Sequence, residues 1–255
     1  MATKRMQNVL HASLPWIGLL GLWAAITEGG MVDPLFLSSP SATLTALFHG
    51  IASGDLVIAF VATMGRAYGG FLVAAAVGVP IGLVLGGVPR VNMIFGGLVD
   101  ALRSMPATAL FPAFLLLFGV GEKAKVSVAT YVCVWAITIY TAYGVKNSGE
   151  TRRFLLRLHG ASPWQRFIDG LLFPALPSVV GGMRTAVSLS LVVTIGTEML
   201  VGTQTGLGQA IYVAQVTYRI PVMYAAIVLS AVGGLASNAA FRWLSRRVVH
   251  WERLP

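Results

Sequence analysis

Long runs without one charged side chain constrain this sequence more than any other feature. Residues 67–88, 104–120, 126–145 and 220–241 carry none, and 178–201 is interrupted only by Arg184 and Glu198. About 20 mostly apolar residues span the hydrocarbon core of a bilayer as an α-helix, and no water is present there to satisfy backbone left outside a helix. Each run therefore predicts a spanning helix. A sixth segment, 12–27, is shorter, contains Pro15 and follows Lys4 and Arg5, as a cleaved leader would. No A-x-A cleavage pattern follows it, so it is read as retained. The expectation is an all-α polytopic membrane protein of one domain. Its six spans fall at about 12–27, 60–88, 98–120, 125–145, 178–201 and 220–242, with a long cytoplasmic loop over 146–176.

Composition agrees: 56% of the residues are hydrophobic and 11% charged, against about 45–50% and 25% in soluble domains. The net charge of +9 would suit a nucleic-acid binder only if the basic residues shared a solvated surface. They lie instead in short segments between apolar runs, which excludes nucleic acid as a partner. With the N-terminus inside, the inner segments hold Lys4, Arg5, Arg90, Lys146, Arg152, Arg153, Arg157, Arg166, Arg242, Arg246, Arg247 and Arg253. The outer ones hold only Lys123, Lys125 and Arg219. By the positive-inside rule both termini are expected in the cytoplasm. Cys133, the one cysteine, can form no intrachain disulfide and reads as a small buried hydrophobe.

Two segments outside the spans have structure of their own. In the outer one, 28–55, the run Ser38-Ser39-Pro40-Ser41 reads as a helix start, and Leu44, Leu47, Phe48 and Ile51 follow at helical spacing. A short amphipathic helix on the outer surface is expected. In the inner loop Arg152, Arg153, Arg157 and Arg166 alternate with Phe154, Leu155, Leu158, Trp164 and Phe167. That mix suits a helix resting on anionic lipid or one docking on a partner.

Several chemistries are missing. There is no G-x-x-x-x-G-K-[ST] loop, so any ATP hydrolysis belongs to another chain, and neither H-E-x-x-H nor G-x-S-x-G occurs. Charges within spans are costly and mark cavities or partners. Arg184, Ser188 and Glu198 share one face of a helix and are candidate pathway residues, although Arg184 and Glu198 could equally snorkel to the two interfaces; about 21 Å apart, they do not pair. Arg66 marks the outer end of the second span. Asp100 and Arg103, spaced i, i+3, form a local ion pair. Arg103 and Met105 complete the pathway candidates, Met105 by itself being an ordinary packing side chain. A positive lining from Arg103 or Arg184 would favour an anionic solute.

The inner loop carries a resemblance. His159-Gly160-Ala161-Ser162-Pro163-Trp164-Gln165-Arg166-Phe167, then Phe173-Pro174-Ala175-Leu176-Pro177 and Gly182-Met183-Arg184, resemble the loop motif of ABC importer permeases of the nitrate, sulfonate, taurine and bicarbonate type. Leu37-Ser38-Ser39-Pro40-Ser41, Gly65-Arg66 through Gly70-Phe71, Leu102-Arg103-Ser104-Met105-Pro106, Pro112, Phe118-Gly119-Val120-Gly121-Glu122 and Gly206-Leu207-Gly208 follow in the family's order. Phe154, Leu155 and Leu156 stand where the motif usually opens with E-A-A. The resemblance implies a type I importer permease that binds no cofactor itself and sits in the bacterial inner membrane, surrounded by lipid. Its partners would be a second copy of the permease, two ATP-binding cassette subunits holding ATP and Mg, and an extracytoplasmic solute-binding protein. His159, Gly160, Ala161, Ser162, Trp164 and Arg166 would couple it to the ATPase, with Gly160 as the turn, Trp164 as the buried anchor and Arg166 as a rim charge. The solute would be small and anionic. Composition alone would fit an ion-coupled secondary transporter, or a membrane assembly subunit with no solute, as well.

Overall fold

Pro40 and Pro89 open helices, Pro106 breaks one, and the glycines let the long helices touch. The computed structural model describes residues 2–201 and 204–249, with backbone alone for 2–13, 150, 201 and 248. Its helices are α1 (Ala2–Glu28), α2 (Pro40–Ala52), α3 (Asp55–Gly87), α4 (Pro89–Ser104), α5 (Ala107–Phe118) and α6 (Glu122–Lys146). The segment after α6 contributes α7 (Glu150–Leu158) and α8 (Pro163–Phe167), and a π-helical turn (Ile168–Leu172) leads into α9 (Phe173–Val201). The chain continues through α10 (Leu207–Val216) and α11 (Ile220–Val248).

Among the described residues four stretches, Asp55–Gly87, Glu122–Lys146, Pro163–Leu200 and Ile220–Arg247, are long and apolar enough to cross a bilayer, and α4 with α5 makes a fifth only as a pair bent by 94°. The first expected span, 12–27, lies within α1, whose stretch Leu14–Glu28 is apolar. The expected loop 146–176 is also shorter than predicted, because helical structure resumes at Pro163 and runs on to Leu200.

The span expected at 98–120 is not one helix. Pro106 has no N–H to donate, and its ring disfavours helical geometry in the residue before it. Met105 is accordingly extended, with φ −70° and ψ 126°. The break frees backbone groups at the end of α4, and the chain satisfies them locally. The Leu102 carbonyl accepts from the Tyr131 hydroxyl on α6, and the Ser104 hydroxyl donates to the Asp100 carbonyl at 2.7 Å.

At the centre α3, α6 and α9 pack through Phe71, Ala74, Cys133, Val134, Ile137, Ala186 and Val187. Small residues permit this contact, because lipid offers no hydrophobic drive between helices and close backbone approach supplies the dispersion attraction. Gly78, Gly82 and Gly86 form the α3 side of the seam, and the Thr138 hydroxyl donates to the Gly78 carbonyl across it at 3.2 Å. A Cβ at Gly82 would lie 2.5 Å from the Thr141 Cβ and 2.6 Å from the Thr138 carbonyl oxygen. Gly82→Ala is therefore expected to destabilise the protein by about 1–3 kcal/mol, the usual cost of overpacking. A lower midpoint of thermal aggregation in detergent would register it, and an unchanged midpoint would show that the seam yields.

The ends at which α3 and α11 begin are packed by Leu56, Ala59, Leu207, Ile211, Ala225 and Ala226. The helix expected after Ser38 is α2, with Ser39 as its N-cap accepting from the Ala42 N–H at 3.2 Å. Its protein-facing side uses Thr43, Ala46 and Leu47, so the expected apolar face is divided and Leu44, Phe48 and Ile51 are exposed. The Trp23 indole fastens α1 to this region by donating to the Ser38 carbonyl at 2.9 Å.

Candidate functional site

The first candidate is the segment joining α7 to α9. Gly160 adopts φ +68°, where an L side chain is strained, and the chain reverses there. The Ala161 N–H returns to the Leu156 carbonyl at 2.9 Å, and His159 Nδ1 meets the Leu155 carbonyl at 2.8 Å. A capping box starts α8: the Ser162 hydroxyl accepts from the Gln165 N–H at 3.2 Å while Gln165 Oε1 accepts from the Ser162 N–H at 2.8 Å. Five residues of helix are thereby fixed without a hydrophobic core beneath them. Trp164 stands 71% exposed, its ring stacked on Phe167 with centroids 5.7 Å apart. Phe154, Leu155 and Leu158 are exposed as well. Arg166, read from sequence as a rim charge, is half-buried, and its Nε is enclosed with no hydrogen-bond partner.

The second candidate is the helix break. Arg103 Nε donates to Asp100 Oδ1 at 3.0 Å, the expected local pair. Arg103 and Met105 line one cavity of about 380 Å³ together with Trp135 of α6 and Leu189 of α9. The other pathway candidates are elsewhere. Arg184 is exposed on α9, and Ser188 is held by α11, where Asn238 Nδ2 donates to its hydroxyl at 3.0 Å.

Glu198 neither lines a cavity nor snorkels: it is 0% exposed. Burying a carboxylate requires a countercharge and donors for its remaining lone pairs, and the fold supplies both. Arg66 Nη1 donates to Glu198 Oε1. The Thr63 hydroxyl and the Gly208 N–H reach Oε2 at 2.8 Å and 2.9 Å. The Thr63 oxygen then accepts from the Leu207 N–H at 2.8 Å. At Gly206, φ is +147° and a Cβ would sit 2.5 Å from the Glu198 carboxyl carbon. The Gly206-Leu207-Gly208 turn is thus wrapped around this carboxylate, which also caps α10.

Arg66 is the hub of the cluster and not the end marker that sequence suggested, since α3 begins at Asp55 and the side chain is 7% exposed. It also donates to Glu122 Oε1 at 2.8 Å and to the Thr205 carbonyl at 2.7 Å. Lys125 Nζ completes the group at 3.0 Å from Glu122. Sequence reasoning treated Arg66, Glu122 and Glu198 singly. The signal that could have joined them was an arginine in one span with an acid in another, each needing a partner.

These features can be set beside known proteins. The chain is similar to the aliphatic sulfonate transport permease SsuC of Escherichia coli, a putative assignment, at 28% identity over 255 residues, covering 99% of this chain and 96% of that protein. It is also 28% identical to the bicarbonate transport permease CmpB of Synechococcus elongatus, covering 96% of this chain and 92% of CmpB. Among solved structures, a chain of the MetNI methionine ABC transporter in an inward-facing conformation superposes with a TM-score of 0.68 at 20% identity, over 76% of this chain and 96% of that one. That likeness concerns the fold: an all-helical importer-permease architecture. The family profile described as binding-protein-dependent transport system inner membrane component matches residues 78–250, from the glycine seam of α3 through the turn at Gly160 to α11. With well over half of its length matched, the chain belongs to that family of transport-system membrane components.

Proposed function

We propose that this chain is the permease subunit of an ATP-driven importer, paired with a second copy, driven by two ATPase subunits that dock on α7 and α8, and supplied by an outer binding protein with a small anionic solute. The observation that carries this reading is the preformed but uncovered α8. A capping box fixes its backbone and an exposed, stacked Trp164 is presented on it, as a docking element needs to be. Gly160 supplies the turn, His159 and Ala161 tie it back to α7, Ser162 caps α8, and Arg166 lies at its edge. The membrane is the bacterial inner membrane, with both termini and this loop in the cytoplasm. The solute class follows from SsuC and CmpB, whose names give sulfonates and bicarbonate. Arg103, Met105, Arg184 and Ser188 line or flank the pathway. Transport is alternating access between two states, with ATP binding favouring one.

Purification of the tagged chain from its native membrane in mild detergent, with crosslinking and mass spectrometry, tests the reading. The expected result is a P-loop ATPase at one copy per permease. A chain that emerges alone, with uptake that follows an ion gradient, would overturn it.

A further inference from the structure

The segment from α7 to α8 carries a charge that this chain does not balance. Arg152, Arg153, Arg157 and Arg166 lie close together, and the one acid between residues 151 and 172 is Asp169. Among the described residues the ion pairs all lie elsewhere, and none of the four arginines makes a side-chain hydrogen bond. Phe154 stands where the resembled motif usually opens with glutamate, so the acid that would sit among these arginines is missing.

The charges are placed in order. Leu156 and Arg153 form the back of α7: a Cβ at Gly170 in the π-helical turn would lie 3.2 Å from Leu156 Cδ1 and 3.5 Å from Arg153 Cγ. On the open side Phe154, Leu158 and Leu155 share an arc of about 100°, and Arg157 and Arg152 stand about 60° beyond its two edges. All five are exposed. The neighbouring α8 adds Trp164, stacked on Phe167. An anionic bilayer also attracts an apolar strip with arginine borders, but a fluid surface gains nothing from a fixed backbone. A protein groove does, because less ordering is left to do on binding. The capping box that sets α8 ahead of any contact therefore favours a protein.

We infer that the ATPase surface receiving α7 and α8 is an apolar groove bordered by carboxylates, which face Arg152 and Arg157 from its two sides. The inference rests on the importer reading and adds to it the charge of the partner. The groove takes Phe154, Leu158 and Trp164, and each carboxylate holds a guanidinium through charge-assisted N–H bonds. An ATPase shaped for a glutamate at position 154 meets here an aromatic ring amid positive charge, so it is rejected by unpaired charge as well as by shape.

The ATPase that copurifies with the chain, rebound to the full chain in nanodiscs of phosphatidylcholine, tests the inference, with affinity read by biolayer interferometry. Raising NaCl from about 0.1 M to about 1 M shortens the screening length from about 10 Å to about 3 Å and is expected to weaken binding at least tenfold. Arg152→Gln with Arg157→Gln should weaken it about tenfold at low salt, the summed scale of two exposed ion pairs, and remove most of the salt dependence. Arg152→Glu with Arg157→Glu should weaken it further, since like charges then meet. The thermal midpoint of the permease should not move, because both side chains are exposed. Trp164→Ala should lower affinity and keep the salt dependence. Both double variants within twofold of wild type, or binding indifferent to salt, would overturn the inference and leave the importer reading standing. Arginine dependence confined to nanodiscs of phosphatidylglycerol would assign the charges to the membrane and overturn it as well. Absence of any copurifying ATPase would remove the importer reading and this inference together.

Discussion

Glu198→Ala is expected to reduce the yield of folded protein sharply and to destabilise what remains by about 3 kcal/mol, the low end of the cost of removing one partner of a buried ion pair, since Glu122 still faces Arg66. The residue is wholly enclosed, and its removal opens a gap in which Arg66 Nη1 keeps only the Thr205 carbonyl while Glu122 still holds the rest of the guanidinium. The same change removes the acceptor for the Thr63 hydroxyl and the Gly208 N–H, so the turn before α10 loses its template. Glu198→Gln keeps the shape and one carbonyl acceptor and should fall between the two. Thermal aggregation in detergent, read by size-exclusion fluorescence, measures all three proteins. A Glu198→Ala protein with wild-type yield and midpoint would show that the cluster is dispensable for folding.

Trp164→Ala should act in the opposite way, sparing the fold and abolishing work. Exposed side chains away from caps and cores usually change stability by no more than about 0.5 kcal/mol, and among the described residues the Trp164 ring stacks on Phe167 alone. Aromatic anchors at protein contacts commonly account for about 2 kcal/mol or more, so loss of this ring should lower ATP-dependent uptake at least tenfold. Monomer stability and membrane insertion should stay as in wild type. Ser162→Ala is the companion variant. It removes the N-cap of α8, worth about 1 kcal/mol, and should weaken coupling without deleting any surface the ATPase would touch. Normal uptake by Trp164→Ala would take the residue out of the coupling role.

How much of this was legible in the sequence depended on whether a feature was local. Uncharged runs located the long helices because length and apolarity are summed along the chain. The run at Ser39 announced a helix start because capping is decided within three residues, and the same logic, unused at Ser162, would have marked α8. Pro106 was visible too, but whether a proline kinks a span or turns it through 94° depends on neighbours that take over the freed carbonyls, and Tyr131 is distant in sequence. The Arg66 cluster was the least legible. It joins α3, α6, α9 and α10, and the separate facts that Arg66 is basic and Glu198 acidic do not say that they meet. Arg103 and Met105 were already pathway candidates in the sequence, whereas Trp135, placed against them only by packing, was missed.

The Arg66 cluster has a further electrical consequence. Arg66 and Lys125 contribute two positive charges, Glu122 and Glu198 two negative ones, and all four are linked directly. A lone arginine carried through the membrane field would couple its motion to the voltage at about 2.3 kcal/mol per 100 mV. A group that sums to zero and travels as one body does no such work. The end of the bundle that holds this cluster can therefore be carried along the membrane normal without drawing on the membrane potential.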